Sequence, residues 1–268
     1  MRSFTITLIL LLACLTSVHA DPKSDFLEDK KEAEQGDARA QWLVGHCYAY
    51  GKGVVKDPKK AFEWFLKSAK QGSAEGQYRV GDCYADGKGV VKDLKKAFGW
   101  YLKSGKQGHA RAQSCVGDAY AYGDGVLKDP KKAFVCYLKS AEQGDAFAQL
   151  NVGVCYSSGD GVIRDYKKGF GWLLKSAKQG NAGAQWRVGF AYDYGDGVIK
   201  DPKKAFEWFL KSAEQGDARA QWLVGDCYAY GKGVLKDLKK AKKWIALANE
   251  NGESDAKKTW DKFELWKY

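Results

Sequence analysis

The chain has 268 residues, with 44 Lys and Arg against 33 Asp and Glu and a formal net charge of +11. Beyond residues 1–20 no apolar run approaches the ~20 residues needed to cross a bilayer, which excludes a membrane-spanning body. A balance this basic points to acidic partners: acidic proteins, an anionic glycan or other acidic polymer, or a membrane surface.

Residues 1–20 combine Arg2, an apolar run from Phe4 to Leu15 and a small-residue end at Val18-His19-Ala20, the three parts of a secretory signal peptide. Cleavage after Ala20 removes Arg2 and no acid, so +11 becomes +10. A competing reading makes Leu11-Leu12-Ala13-Cys14 a lipoprotein site with a lipidated Cys14. It is the weaker one, because a cut there leaves a short signal and strands a second site downstream. The expected location is secreted or periplasmic, where nucleic acid is not an expected partner. Residues 21–36 follow as an N-terminal capping helix with Phe26 and Ala33 on its apolar face.

Gly36, Gly72, Gly108, Gly144, Gly180, Gly216 and Gly252 then mark a 36-residue period without insertions. Such a period predicts a solenoid. The units are 37–72, 73–108, 109–144, 145–180, 181–216 and 217–252. In the first, Ala38, Gln41, Val44, Gly45 and Tyr48 share one helical face, and these types recur in every copy. This is helix A, and a glycine kept within it predicts close contact with a neighbouring helix. Gly51-Lys52-Gly53-Val54 is a turn whose Val folds back onto the hairpin. Asp57 caps helix B with Pro58 at its first position, Ala61, Phe62, Phe65, Leu66 and Ala69 form its apolar stripe, and Gly72 ends it. Residues 253–268 form a C-terminal capping helix resembling a last helix A, with Ala256, Trp260 and Phe263. The predicted fold is all-α.

The pattern at Ala40, Val44-Gly45, Tyr48, Gly51-Lys52-Gly53-Val54, Asp57, Lys60-Ala61, Trp64-Phe65 and Gln71-Gly72 resembles the Sel-one-like repeat, a relative of the tetratricopeptide repeat. The resemblance covers residues 37–252. It implies antiparallel helix pairs in a right-handed superhelix and a non-enzymatic adaptor or scaffold, often in exported bacterial proteins. Such a scaffold binds a protein or peptide, and this chain is expected to be monomeric and without a cofactor.

Six cysteines follow the signal segment. Cys47, Cys83, Cys155 and Cys227 hold one register in different repeats, where stacked neighbours lie beyond the ~7 Å Cα limit for a disulfide, so they read as buried thiols. Cys115 and Cys136 share the third unit, and Cys136 replaces the Trp of the other five, so a bridge between them stays open. A branch of the resembling family uses helix-to-helix disulfides and has been linked to β-lactam binding. Its cysteines fall at Gln41 and Ala69, which puts that inheritance in doubt. A β-lactam-reactive or hydrolytic enzyme is therefore the alternative function. Ser254-Asp255-Ala256-Lys257 fits Ser-x-x-Lys by chance, without companion motifs. His46 and His109 are far apart with no paired ligands, and no catalytic, cofactor or metal site is assigned.

Two surfaces remain. Paired lysines at the start of each helix B, from Lys59-Lys60 to Lys239-Lys240, stack into a basic ladder suited to an anionic glycan, or are simply a solvated face. The preferred site is the concave face lined by variable positions of the A helices. The first unit contributes Arg39, Trp42, His46 and Tyr50, and the second Glu75, Tyr78, Asp82 and Asp86. Arg111, Asp118 and Tyr122 come from the third and Trp186, Asp193 and Tyr194 from the fifth. Arg219, Trp222, Asp226 and Tyr230 come from the last. Trp, Tyr and Arg dominate binding energetics, although some of the tryptophans brace neighbouring helices instead.

Overall fold

The computed structural model describes residues 21–268; the signal peptide expected at 1–20 and the alternative lipidation site at Cys14 lie outside the described residues. Among the described residues are fourteen α-helices and no strand. They are α1 (Pro22–Glu34), α2 (Ala38–Tyr50), α3 (Pro58–Lys70), α4 (Ala74–Asp86), α5 (Leu94–Lys106), α6 (Ala110–Tyr122) and α7 (Pro130–Glu142). There follow α8 (Ala146–Ser158), α9 (Tyr166–Lys178), α10 (Ala182–Tyr194), α11 (Pro202–Ala213), α12 (Ala218–Tyr230), α13 (Leu238–Glu250) and α14 (Ala256–Lys262). None is long and apolar enough to cross a membrane. They form two compact units, one ending at Trp100 and the other beginning at Tyr101, with α5 contributing to both. Each unit is a stack of antiparallel hairpins, the α-solenoid expected from the period.

The helix boundaries follow from local chemistry. At the head of successive A helices stand Asp37, Ser73, His109, Asp145, Asn181 and Asp217, and in each copy the side chain accepts from the amide three residues on. This satisfies one of the first-turn N–H groups that lack an intrahelical partner. His109 is therefore a helix cap, its Nδ1 accepting from the Ala112 amide at 3.1 Å. Asp57 caps α3 through the Lys59 and Lys60 amides, with Pro58 at the first helical position. Helix B ends one residue earlier than expected: Gln71 takes the cap, and Gly72 follows it in the left-handed region at φ +91°.

The A helices lie hard against their B partners. A Cβ on Gly45 would sit 2.5 Å from the Phe65 ring, which accounts for the recurring helical glycine. The core is also stitched by polar groups. Ser68, Ser140, Ser176 and Ser212 are fully buried. Their hydroxyls donate to the first carbonyl of the paired A helix (Ala38, Ala110, Ala146 and Ala182) at 2.6–2.9 Å. Buried Gln41, predicted only as part of an apolar face, donates from Nε2 to the Ala33 carbonyl near the end of α1, while its Oε1 accepts from Gln71 at 2.7 Å. Carbonyls in the last helical turn have no intrahelical donor, and that of Ala33 accepts instead from the Gly36 amide at 3.1 Å and from the buried Gln41.

Successive hairpins meet through the A-to-B loops. In the second unit Gly161, Gly197 and Gly233 approach the start of the preceding repeat's B helix so closely that an added Cβ would meet a carbonyl oxygen (Pro130, Tyr166 and Pro202) at 2.0–2.2 Å. After α13 the chain forms the short α14 and a turn that buries Leu265 completely, with Ala256 also buried and Trp260 and Phe263 half-buried beside them.

Candidate binding site on the A-helix face

In the first unit the A-helix face is largely self-satisfied. Trp42, His46 and Tyr50 form an aromatic column on α2, with ring centroids 6.3 and 4.5 Å apart. Burial, helped by Lys52 and Arg79 and opposed by Glu75, lowers the His46 pKa. Tyr78 is buried rather than presented, and the Arg79 guanidinium over its ring is held by Glu75 at 2.7 Å and Asp82 at 3.5 Å. Asp86 pairs with Lys88 at 2.6 Å. Arg39 is exposed beside an acidic patch of α1 that includes Asp25, Asp29 and Glu32.

The second unit divides into satisfied and open stretches. Asp118 accepts from the Tyr137 hydroxyl at 2.7 Å and from Asn151 Nδ2 at 3.4 Å, while burial raises its pKa. Arg111 reaches Asp145 at 4.0 Å, and Tyr122 is exposed. Asp193 is buried and paired with Lys232 at 2.5 Å. At the C-terminal end the chain covers its own candidate residues. Trp222 Nε1 donates to Thr259, which donates to Asp226, and Tyr230 packs edge-on against Phe263 while accepting from Lys262. Trp222, Asp226 and Tyr230 thus make contacts with α14 and its flanks, Trp222 and Asp226 half-buried there while Tyr230 stays 52% exposed.

Trp186 stands apart. It lines a pocket of about 360 Å³ between α8, α9 and α10 together with Tyr166, Phe170, Leu173 and Phe190. The Arg187 guanidinium lies 4.1 Å from the Trp186 ring centroid, and Arg219 approaches the same ring at 5.1 Å. Phe190 meets Trp186 edge-on and stacks on exposed Tyr194 at 4.3 Å. Arg187 spends one donor on the Gly183 carbonyl at 2.8 Å. Burial, reinforced by the like charge of Arg219 and partly offset by Asp217, holds its pKa below the usual guanidinium value. Two guanidinium groups face one acid of the lining, Asp196. Neither makes an ion pair among the described residues, in contrast to Arg79. The comparable pockets at Arg79 in the first unit and at Asn151 in the second measure about 240 and 250 Å³.

Sequence reasoning missed Arg187 and Phe190. The signal was available: the register of Leu43 reads Leu, Arg79, Cys115, Asn151, Arg187 and Leu223 through the six copies, as variable as any position that was chosen.

The second lysine of each ladder pair is bound locally, as where Lys132 Nζ lies 3.1 Å from the cap Asp129 and 5.4 Å from the Tyr120 ring centroid. No disulfide joins Cys115 to Cys136 in the structure. Cys83, Cys155 and Cys227 are buried thiols, and desolvation pushes Cys83 and Cys227 up to about 12 and Cys155 to about 11. At pH 8 roughly one part in 10³ or less is then thiolate. Iodoacetamide alkylation of these three in the native protein, followed by mass spectrometry, is expected to run at least ~100-fold slower than in denaturant. Rapid labelling of Cys227 would contradict this burial. Because these folded-state pKa values are raised, the thiols favour the folded state below the ordinary value near 8.5, and that contribution fades as pH rises above it.

Comparison with known proteins matches these observations to one family. A family model described as "Sel1 repeat" matches residues 38–73, 74–109, 110–145, 146–181, 182–217 and 218–253, framing each unit one residue later than the glycine register. Among solved structures, a protective antigen of uropathogenic Escherichia coli strains displaying an SLR fold is 35% identical with a TM-score of 0.79, covering 86% of this chain and 50% of that one. The chain therefore spans half the length of that relative. A Sel1 repeat protein from Oxalobacter formigenes is 33% identical with a TM-score of 0.75, covering 81% of this chain and 89% of its own. An immunity protein from Pseudomonas aeruginosa, 18% identical with a TM-score of 0.52 and covering 81% of this chain and 82% of its own, shares the fold. No curated protein matches. Sel1 repeats form scaffolds, generally non-catalytic, that commonly mediate protein interactions. With six consecutive matches from residue 38 to 253, the chain belongs to the Sel1 repeat family.

Proposed function

We propose that the chain is a non-catalytic scaffold, exported through residues 1–20, that binds a protein or peptide on the A-helix face of its second unit, centred on the Trp186 pocket. The observation that carries this reading is the pairing of an apolar pocket with two guanidinium groups, Arg187 and Arg219, that make no ion pair among the described residues. Arg187 is half-buried and Asp217 only partly offsets the cost of that burial, so a ligand anion beside it and the exposed Arg219 relieves the rest. A peptide segment that places an aromatic or aliphatic side chain beside an Asp or Glu meets both demands. The volume lies within the range of ordinary ligand pockets.

An array of immobilised peptides, probed with the parent and with Trp186→Ala and Arg187→Gln variants of unchanged helicity, tests the proposal. The parent is expected to enrich sequences pairing an apolar residue with an acid. Trp186→Ala is expected to weaken the best of them by about 2 kcal/mol or more, roughly 30-fold, as for a central aromatic anchor. Enrichment that ignores acidic residues, or survives both variants, overturns it.

A further inference from the structure

Each A-to-B loop contains two consecutive aliphatic residues that the structure treats differently. The first, at Val54, Val90, Val126, Val162, Val198 and Val234, is half-buried. The second, at Val55, Val91, Leu127, Ile163, Ile199 and Leu235, is 85–89% exposed in every copy. Burial explains the first set. It does not explain the second, since a side chain that bare to water contributes almost nothing to the core and any polar residue would serve the fold as well. The loops accept polar variation nearby: the residue between the two glycines is Lys52, Lys88, Asp124, Asp160, Asp196 or Lys232. Single exposed aliphatics are ordinary on a protein surface, but one at the same register of all six repeats is not scatter.

A base always follows this residue: Lys56, Lys92, Lys128, Arg164, Lys200 and Lys236. Three residues further on lies the first lysine of each helix-B pair, exposed in every copy. The second lysine of the pair is the one tied to the capping Asp, as Lys204 is to Asp201 at 3.2 Å. Each loop therefore presents one bare aliphatic side chain and two bases outside that local ion pair. In the second unit the loops are also neighbours in space, because Gly161, Gly197 and Gly233 each abut the first residue of the preceding B helix. Leu127, Ile163, Ile199 and Leu235 thus recur along one edge of that unit with their bases beside them.

We propose that this loop edge of the second unit docks on the surface of an anionic lipid bilayer, the aliphatic side chains entering the interface shallowly while the adjacent bases meet lipid phosphates. A soluble polyanion would use the bases and gain nothing from the aliphatics, whereas an anionic membrane surface uses both. A folded protein partner offers varied relief, but these four loops repeat one chemistry at regular intervals, which suits a flat and laterally uniform partner. The edge uses residues distinct from the Trp186 pocket, so the two proposals stand or fall separately.

The test is flotation of the chain from Asp21 onward, which contains every described helix, with large unilamellar vesicles of 70:30 phosphatidylcholine and phosphatidylglycerol, and with pure phosphatidylcholine. The parent is expected to bind the anionic vesicles at least tenfold more tightly than the neutral ones. Leu127→Ser/Ile163→Ser/Ile199→Ser/Leu235→Ser is expected to lose at least tenfold in vesicle binding with unchanged circular dichroism and unchanged retention on heparin. Lys128→Gln/Lys200→Gln/Lys236→Gln is expected to lose both. Three results overturn the proposal. One is an absence of anionic preference. Another is a serine variant that binds vesicles as well as the parent, which leaves a simple polyanion-binding strip. The last is a serine variant that converts a self-associated parent to monomer with no vesicle binding in either, which makes the row a contact between copies of this chain.

Discussion

Replacing Gly197 with Ala is expected to destabilise the second unit by about 3–5 kcal/mol, the sum of a non-glycine residue forced into the left-handed region and an overpacked contact. Gly197 sits at φ +73°, and its added Cβ would lie 2.2 Å from the Tyr166 carbonyl oxygen and 2.4 Å from the carbonyl carbon. Both obstacles are backbone at the start of α9, so no side chain can swing aside, and relief requires the two hairpins to part. In a solenoid the contact between neighbouring repeats carries much of the stability. The urea transition, followed by circular dichroism, is therefore expected to broaden or split as the repeats flanking the lesion unfold separately. Two controls separate the causes. Gly180 has φ +93° but open space around its Cβ, so Gly180→Ala carries the backbone cost alone, about 1–2 kcal/mol. Gly171, inside α9 with neither a positive φ nor a neighbour within 4 Å, is expected to gain about 0.5–1 kcal/mol as Ala. A Gly197→Ala protein within 1 kcal/mol of the parent would mean that adjacent repeats are not held by this loop contact.

Much of this architecture could be read directly from the chain because each repeat restates the same local rules. The capping Asp57, the glycines at Gly51 and Gly53 and the apolar stripe from Ala61 to Ala69 are chemical necessities of a helix start, a tight turn and a buried face. The site was less legible, for reasons specific to particular residues. Comparing copies marks where variation is tolerated, not which way a side chain leans. Tyr78 varies freely yet is buried, and Arg187, one residue beyond the outward register of Trp186, reaches the pocket. Residues 253–268 read as a cap, but the spacing did not show that a cap also contacts the surface beside it, where Trp222, Asp226 and the still exposed Tyr230 meet Thr259, Lys262 and Phe263. Gln41 and Ser68 were hidden because a pattern of apolar spacing says nothing about side-chain hydrogen bonds to the backbone carbonyls of the adjacent helix. Ile199 and its equivalents escaped notice for the opposite reason, since an aliphatic next to a buried Val is easily assumed to share its fate.

The helical glycine and the aromatic residue opposite it make a pair whose coupling can be measured. Phe209 is almost wholly buried at 2% exposure, and its ring occupies the space that a side chain on Gly189 would need: a Cβ there would lie 2.6 Å from the ring. Phe209→Ala is expected to cost about 3–5 kcal/mol, the removed aromatic surface plus the cavity left between α10 and α11. Gly189→Ala alone is expected to cost about 1–3 kcal/mol, because the ring must tilt out of its well-packed position. The two losses do not add. With Phe209 truncated, the methyl group at 189 no longer meets a ring and enters the vacated volume, leaving only its approach to the Ala205 carbonyl oxygen at 3.0 Å. The double variant is therefore expected to be more stable than the sum of the singles by about 1–2 kcal/mol, as for residues in direct contact. Chemical denaturation of the four proteins closes the cycle. Strict additivity would show that the helix pair relaxes around the glycine independently of the ring. Other copies place Tyr137, Leu173 and Ile245 against Gly117, Gly153 and Gly225. The glycine therefore admits side chains of different shape at one helix crossing, so the coupling measured at Gly189 and Phe209 is expected to differ in size where the facing side chain is Leu173 or Ile245.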